Sequence, residues 1–472
     1  MSVPNTHFGY NRIGEIMASC RGKSVFFIGA GGIMMSSLAL LTKSAGFDTA
    51  GSDRTPSKLT RRLEAADIAV YYSHSESNLG DNCGAVVYTV AISENNPEYV
   101  RAQREGIPCI SRADYLGYVM MAYKHRVGIA GMHGKSSCTS MCAEIFLCCH
   151  KNGDMTDPTI VSGAEYESMG GAYHLGEHEE FIFEACEYMD SFLDFNPNVA
   201  VLLNAEMEHV DYFKSMEQIC GSFAQYAALV GENGTVIYNA DDENIVCAAH
   251  SVKANKISFG LSQGCDFTAA NIYLGKLPIE FDVIYKGEQF AHVVLPSRGI
   301  HSVYNALAAT AAAFACGVSA ENIVCGLASF KGAKRRMEYK GKLCGAEVYD
   351  DYGHHPTEIA ATLKGARSTT QGKLICVFQP HTYSRTAALA DKFSECFADA
   401  DRVILADIYA AREDNIYGIS SQKLAEIIGE KASYAESFES IAETLGGIAQ
   451  EGDTVVVMGA GDIFKLFGCI GL

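Results

Sequence analysis

The feature that most constrains the fold is a regular alternation of short apolar runs with helix-like stretches. Near the N-terminus, the apolar runs Val25–Ile28, Thr49–Asp53 and Val86–Thr89 alternate with helix-like stretches such as Met35–Ala45. This alternation is typical of βαβ units on a parallel sheet. It returns after residue 332, where the predicted strands are Glu347–Asp350, Leu374–Phe378, Val403–Ile408 and Thr454–Met458. The sequence therefore predicts an α/β fold.

The length and the changes of pattern predict three domains. At roughly 100 to 200 residues per domain, a chain of 472 residues is expected to hold two to four. The second domain opens with a predicted strand, Arg126–Ala130, and a predicted helix, Lys135–His150, and its later strands include Phe181–Ala185 and Val199–Asn204. The predicted domains are residues 1–123, 124–331 and 332–472.

Composition excludes several classes of protein. The formal charge of −19 argues against a nucleic-acid partner, because such binding depends on clustered lysine and arginine. The 17 cysteines lie mostly in apolar runs without zinc-ligand spacing, so we expect reduced, buried thiols. The N-terminus lacks a signal-peptide pattern, and Val303–Val318 is shorter than the roughly 20 residues that span a bilayer. We expect a cytoplasmic protein with no membrane partner.

A glycine-rich turn between a predicted strand and a predicted helix indicates a phosphate-binding site. Glycines let backbone N–H groups approach phosphate oxygens, and the N-terminus of a helix favours anions. Lysine in such a turn neutralises the β/γ phosphates, and the following serine hydroxyl can bind Mg²⁺. The first glycine of the general GxxxxGK[ST] pattern would fall at Ile129, so this is a shorter form of the motif. The predicted nucleotide-binding residues are Gly131, His133, Gly134, Lys135, Ser136 and Ser137.

Acidic and histidine residues follow two later strands of the same domain. Glu184 ends one predicted strand, and Glu206 and His209 follow the next. Ligand-binding residues lie at the carboxyl ends of parallel strands, beside the phosphate-binding turn, where oxygen and imidazole ligands can hold Mg²⁺. Taken alone, each residue fits a surface group or a helix cap better than a ligand, and their order after the phosphate-binding turn is what favours a site.

A second glycine turn, Gly29–Ser36, follows the first strand of the chain and opens a helix. Asp53 ends the next strand about 20 residues later, which is the spacing of dinucleotide sites. Met34 takes the place of the third glycine in that fingerprint. The turn by itself therefore leaves a nicotinamide cofactor and another nucleotide as open alternatives.

Polar blocks near the end of the second domain and in the third complete the pattern. His301 and Asn305 lie one helical turn apart and therefore on one face, where a buried, satisfied asparagine is the plainer interpretation. The third domain carries the runs R-R-M-E from Arg335, D-D-Y-G-H-H-P-T-E from Asp350 and F-Q-P-H-T-Y-S-R-T from Phe378. Acids and histidines between a strand and a helix headed by proline could form a site or a plain N-cap.

Together these blocks resemble the Mur ligase family, and they follow the order of that family along nearly the whole chain. The turn at Gly131 resembles the family's short G-x-[HNE]-G-K-[ST]-[ST] form, and the run from Glu184 to Leu193 resembles its E-A-D-E-S-D-x-S-F-L block. The third-domain run from Asp350 is close to a signature of the muramate-ligating branch. Cys186, Thr382 and Met34 stand where the family pattern has other residues.

The resemblance implies a Rossmann-like first domain, a P-loop ATPase-like central domain and a Rossmann-like third domain. It implies the cofactors ATP and Mg²⁺, with UDP-N-acetylmuramate and L-alanine as substrates of a ligation through an acyl phosphate in peptidoglycan precursor synthesis. The implied metal ligands are Ser136, Glu184 and His209. The implied substrate-binding residues are His381 in the third domain and, in the UDP-binding turn of the first, Gly31, Gly32, Ser36 and Asp53. The implied ATP contacts beyond the turn are His301, Asn305 and Asp351, and the implied catalytic residues are Lys135, Arg336, His354 and Arg385.

Three alternatives remain open from the sequence. A tripeptide ligase of cell-wall recycling would share the same fold and nucleotide substrate. A nucleotide-binding regulator descended from a ligase would account for the departures at Met34, Met132, Cys186 and Thr382. A nicotinamide oxidoreductase would use Asp53 but would leave the third-domain blocks unexplained.

Overall fold

The computed structural model describes residues 8–89, 91–155, 157–177, 179–209, 212–275, 277–411 and 413–472. Its internal contacts divide the chain into two units. One comprises Met1–Cys265 and Ala308–Gly326, and the other comprises Asp266–Leu307 and Leu327–Leu472.

The first unit begins with a five-stranded parallel sheet in the order β3-β2-β1-β4-β5. Its elements are α1 (Tyr10–Ser19), β1 (Ser24–Ile28), α2 (Ile33–Ser44), β2 (Asp48–Ser52), α3 (Lys58–Ala65), β3 (Ala69–Tyr71), β4 (Cys83–Tyr88), α4 (Pro97–Glu105), β5 (Cys109–Ser111) and α5 (Arg112–Met120). Along β1, Val25 and Phe27 enter one apolar core while Phe26 and Ile28 enter another. Burial on both faces explains the unbroken apolar run, and the predicted βαβ alternation is confirmed.

The same unit continues with seven strands in the order β12-β11-β10-β6-β9-β7-β8. Strands β7 and β8 pair antiparallel, and the other neighbours in this order pair parallel. The elements are β6 (His125–Ala130), α6 (Lys135–Lys151), β7 (Thr159–Tyr166), β8 (Gly171–His174), β9 (Glu180–Glu184), β10 (Val199–Leu202), α7 (Met216–Ala228), β11 (Thr235–Asn239), α8 (Glu243–His250) and β12 (Asn255–Phe259). The loops after β6, β9 and β10 leave the carboxyl ends of neighbouring parallel strands, which is where the sequence predicts phosphate and metal ligands.

In the second unit, β13 (Phe267–Tyr273), β14 (Ile279–Tyr285) and β15 (Glu288–Leu295) form antiparallel pairs. The chain passes between the units within α9 (Ile300–Ala315) and α10 (Ala320–Ala328). A six-stranded sheet follows, in the order β16-β17-β21-β18-β19-β20, with β16 antiparallel to β17 and the other pairs parallel. Its elements are β16 (Glu338–Leu343), β17 (Ala346–Asp351), α11 (Pro356–Arg367), β18 (Leu374–Phe378), α12 (Tyr383–Ala388), α13 (Ala390–Cys396), β19 (Arg402–Leu405), α14 (Ser421–Ile428), β20 (Ala432–Tyr434), α15 (Phe438–Ile448), β21 (Thr454–Met458) and α16 (Leu466–Cys469).

The cysteines depart from the sequence expectation at one pair. Cys148 on α6 and Cys325 on α10 form a disulfide, so the expectation of reduced thiols throughout is wrong for these two residues. Their Cα atoms lie 6.5 Å apart, within the range that a disulfide bridges. Cysteines far apart in the chain meet only through helix packing, which local sequence cannot reveal. Among the described residues, no helix has both the length and the apolar character needed to cross a bilayer.

Candidate active site

The predicted phosphate-binding turn lies between β6, which ends at Ala130, and α6, which begins at Lys135. Gly134 caps the helix with φ +83°, a conformation that glycine adopts without steric cost. A Cβ atom on Gly131 would lie 2.8 Å from Cβ of Leu203 on the neighbouring segment, so this position also needs glycine. The turn therefore has the strand, glycine and helix geometry that a phosphate site requires.

The ammonium of Lys135 is held inside this turn. It donates to the carbonyl oxygens of Gly131 (2.6 Å) and Met132 (3.1 Å) and lies 2.9 Å from Oε2 of Glu187. Burial lowers the pKa of Lys135, but its interactions with Glu187, Cys186 and Glu184 together outweigh burial and raise the pKa above 10.5. The side chain is only 13% exposed, so Lys135 is a mostly buried cation rather than part of an open loop.

An oxygen pair suited to Mg²⁺ lies at the start of the same helix. The hydroxyl of Ser136 donates to Oε2 of Glu184 over 3.0 Å, and the backbone N–H of Gly163 donates to the same oxygen. Hydroxyl and carboxylate oxygens are the ligands that Mg²⁺ prefers. Nε2 of His209 lies 3.1 Å from Oε1 of Glu187, which is also the residue paired with Lys135. The predicted residues Ser136, Glu184 and His209 therefore have the donor chemistry of a divalent-cation site.

Three polar residues outside the predicted site support the turn. Asn204 accepts from the backbone N–H of His133 (2.8 Å) and donates to its carbonyl oxygen (2.9 Å). Glu206, weighed above as a metal ligand, pairs with the imidazole of His133. Glu187 joins Lys135 to a histidine of the next loop. Only the position of these polar residues after β9 and β10 could have indicated their role.

At the first glycine turn, the carboxylate of Asp53 accepts hydrogen bonds from the backbone. Its Oδ2 accepts from the N–H of Gly31 over 2.8 Å, and its Oδ1 accepts from the N–H of Arg54 over 2.7 Å. A Cβ atom on Gly31 would come within 2.7 Å of that carboxylate. Gly32 caps α2, whereas Ser36 is buried and bonds to the carbonyl of Ile33. Asp53 thus contacts the turn that contains Gly31 and Gly32, and Ser36 lies inside the helix that follows.

In the second unit, His301 and Asn305 lie in the first turns of α9. Burial, with a smaller contribution from the charge of Arg336, lowers the pKa of His301 to about 4. Asn305 is buried at 7% exposure. A neutral imidazole and an amide on one helix face can contact a flat, uncharged ring through stacking and hydrogen bonds.

The end of β17 gathers the charged third-domain residues. Arg335 pairs with Asp350 (Nε to Oδ2, 3.2 Å), and Arg336 pairs with Glu358 (Nη1 to Oε1, 3.3 Å). Asp351 accepts from two backbone N–H groups, at residues 337 and 353. Burial raises the pKa of Asp351 from 3.8 to about 6, although the charge of Arg336 opposes that rise.

The residues predicted to bind the amino-acid substrate form a second cluster in this unit. The rings of His354 and His381 lie 5.7 Å apart, and Nη1 of Arg385 lies 3.2 Å from Nδ1 of His381. Thr382, which stands where the family pattern has arginine, has φ +66° and is held by a bond from its N–H to the carbonyl of Tyr409. A positive φ at a β-branched residue is costly and is typical of sites that need a fixed backbone.

We expect the Asp351→Asn variant to gain stability relative to the wild type as the pH rises. Because the folded-state pKa of Asp351 is raised, its favourable contribution is complete below pH 3.8 and is lost as the pH rises through about 6. Asparagine cannot ionise, so the difference in unfolding free energy should grow by about 2 kcal/mol between pH 4 and pH 7. Urea unfolding at both values measures it, with exposed Asp391→Asn as the control. A difference that does not change with pH would contradict the expectation.

Comparison with known proteins identifies the class. Family models match residues 24–124 (Mur ligase family, catalytic domain), 129–313 (Mur ligase middle domain) and 335–461 (Mur ligase, glutamate ligase domain). The chain belongs to the Mur ligase family, whose members are ATP-dependent ligases. The predicted three-domain Mur ligase fold class is confirmed by these matches.

Within the family, the chain is similar to one branch. It is 44% identical to the UDP-N-acetylmuramate–L-alanine ligase of Acetivibrio thermocellus over 94% of each chain. Among solved structures, the UDP-N-acetylmuramate–alanine ligase of Thermotoga maritima matches with a TM-score of 0.78 and 25% identity over 94% of this chain and 97% of that one. A murein peptide ligase of Psychrobacter arcticus matches with a TM-score of 0.68 and 23% identity, covering 95% and 99%, and this likeness shows the fold alone.

Proposed function

We propose that this protein is a cytoplasmic ligase that uses ATP and Mg²⁺ to join L-alanine to the carboxylate of UDP-N-acetylmuramate in peptidoglycan precursor synthesis. The observation that carries the chemistry is the turn in which Lys135 lies beside the Ser136–Glu184 oxygen pair. The choice of substrates rests on the 44% identical relative, which bears the name of that reaction.

An amine and a carboxylate do not condense at neutral pH unless the acyl group is activated. The carboxylate attacks the γ-phosphorus of ATP, which forms an acyl phosphate and releases ADP; the amine then attacks the acyl carbon, and phosphate leaves. Lys135 stabilises the charge that develops on the transferred phosphoryl group. Bound Mg²⁺ neutralises phosphate charge, and Ser136, Glu184 and His209 would hold it.

The other predicted roles follow the family resemblance and the contacts around each residue. His301 and Asn305 would contact adenine and Asp351 the ribose, while Arg336 would bind phosphate. His354, His381 and Arg385 would orient the amino acid, and an imidazole can accept the proton of the attacking amine. Gly31, Gly32, Ser36 and Asp53 would form the UDP-substrate turn. We also propose the division into domains 1–123, 124–331 and 332–472, which the three matched stretches support.

An ADP-release assay with UDP-N-acetylmuramate and saturating ATP tests the proposal when the added amine is varied. We expect release that depends on L-alanine, with modest preference over glycine and L-serine, because one methyl or hydroxyl group is worth about 1–3 kcal/mol in a pocket. A clear preference for a tripeptide would assign the protein to the recycling reaction. No amine-dependent release would favour a nucleotide-binding regulator.

Replacing Arg385 with lysine should raise the KM for L-alanine by about tenfold or more while changing the KM for ATP by less than about twofold. A guanidinium binds a carboxylate through two parallel hydrogen bonds, and an ammonium cannot reproduce that fork. Steady-state kinetics with each substrate varied in turn measures the two constants. Arg367→Lys, which alters an exposed pair with Asp401, is the matched control. Equal changes in both KM values would remove Arg385 from the amino-acid pocket.

A further inference from the structure

We propose that Glu187 is a positioning residue of the nucleotide site, which orients Lys135 through one carboxylate oxygen and selects the metal-binding tautomer of His209 through the other. This inference rests on the proposed function for the identity of the bound nucleotide and metal. It concerns how the residues of the first unit are prepared before the substrates react.

Glu187 is a buried side chain that contacts both Lys135 and His209. Its side chain is only 1% exposed, and its two oxygens have separate partners, with Oε2 2.9 Å from Nζ of Lys135 and Oε1 3.1 Å from Nε2 of His209. The ammonium of Lys135, 2.9 Å from one oxygen, stabilises the charged form of this buried side chain. Glu187 is therefore an ionised carboxylate that can only accept hydrogen bonds.

The three N–H donors of Lys135 are all engaged before a nucleotide binds. An ammonium has three N–H groups, and here they face three acceptors: two loop carbonyls and Glu187. A phosphate oxygen must replace one of them. A charged acceptor binds an ammonium more strongly than a neutral carbonyl does, so we expect phosphate to replace a carbonyl while Glu187 keeps its hold. Glu187 thus fixes the side from which Lys135 reaches the nucleotide.

The contact with Glu187 also sets the tautomer of the His209 ring. Because Glu187 can only accept, Nε2 of His209 must carry a proton, so the nitrogen that is left to bind a metal through its lone pair is Nδ1. Histidines that bind metals commonly donate their other ring N–H to a carboxylate, which fixes both tautomer and orientation. The ring of Tyr188 lies 4.8 Å from that of His209 and further limits its rotation.

The Glu187→Gln variant tests the inference without turnover. Glutamine has one oxygen and one amide NH₂ where Glu187 has two oxygens. Lys135 can only donate, so the glutamine oxygen should face it, and the NH₂ group should then face Nε2 of His209. Nε2 must accept in that arrangement, so the proton should move to Nδ1. Nitrogen-15 NMR of histidine-labelled protein, with the His209 signal assigned by His209→Gln, should show Nε2–H in the wild type and Nδ1–H in the variant.

Metal affinity gives the second readout. Electron paramagnetic resonance should show Mn²⁺ binding in the presence of ADP weakened by roughly 10- to 100-fold in Glu187→Gln, the usual effect of losing the carboxylate behind a metal-binding histidine. Glu180→Gln is the matched control, because Glu180 is a buried glutamate at the start of β9 that lies 3.5 Å from Nδ1 of His125. We expect the control to bind Mn²⁺ within about twofold of the wild type.

Glu187→Asp separates positioning from packing and covers the case in which the glutamine variant does not fold. Aspartate keeps the charged acceptor, so it should keep the Nε2–H tautomer and recover most of the Mn²⁺ affinity. An unchanged tautomer and unchanged affinity in Glu187→Gln would overturn the inference. So would a loss of affinity in Glu187→Asp as large as that of the glutamine variant. Failure of the proposed function would appear separately, as absent amine-dependent ADP release by the wild type.

Discussion

Replacing Lys135 with alanine is expected to lower the rate of ADP formation by roughly a thousandfold or more, because phosphoryl transfer depends on neutralising charge at the phosphates. In the structure, Lys135 also pairs with the buried carboxylate of Glu187. Glu187 would be left as a buried carboxylate without its lysine, and breaking a buried pair in this way costs about 3–5 kcal/mol. The single variant should therefore be both inactive and less stable.

The double variant Lys135→Ala with Glu187→Gln separates these two effects. It removes both charges, so we expect most of the lost stability to return while ADP formation stays at the level of the single variant. Lys151→Ala, at the other end of α6, is the matched control and should keep wild-type stability and rate. Recovery of activity in the double variant would mean that Lys135 does not act on the phosphates.

The second large effect is expected for Glu184→Gln. Glutamine keeps the size of the side chain and can still accept from the hydroxyl of Ser136, but it removes the ligand charge from the oxygen pair. We expect the Mg²⁺ concentration for half-maximal rate to rise by roughly 10- to 100-fold, since loss of even an outer partner of a metal has that effect.

Titration of the ADP-release rate with Mg²⁺ measures this change. Glu180→Gln alters a buried glutamate on the same strand, at the end opposite Glu184, and should leave the metal dependence unchanged. His209→Ala should also raise the Mg²⁺ requirement, because it removes an imidazole ligand. An unchanged requirement in both the Glu184 and His209 variants would place the metal elsewhere.

Much of the fold could be predicted from the sequence because its signals are local. The strands Leu374–Phe378 and Thr454–Met458 occur where predicted, since a strand buried on both faces needs a continuous apolar run. The predicted strand Val403–Ile408 is shorter in the structure and ends at Leu405. The carbonyl of Ala406 accepts a hydrogen bond from the hydroxyl of Ser421 rather than from a neighbouring strand. Strand ends are set by such distant partners, and sequence pattern locates them less well than strand centres.

The α/β class, the glycine turn that ends in Lys135 and the family could all be predicted from local sequence pattern. Each depends on residues close together in the chain, whose spacing expresses strand, turn and helix geometry directly. Three contacts could be seen only in the folded chain: Lys135 with Glu187, Asp53 with the backbone N–H of Gly31, and Cys148 with Cys325. These contacts join residues far apart in sequence, and they form because sheet and helix packing removes charged and polar groups from water, where each then requires a partner.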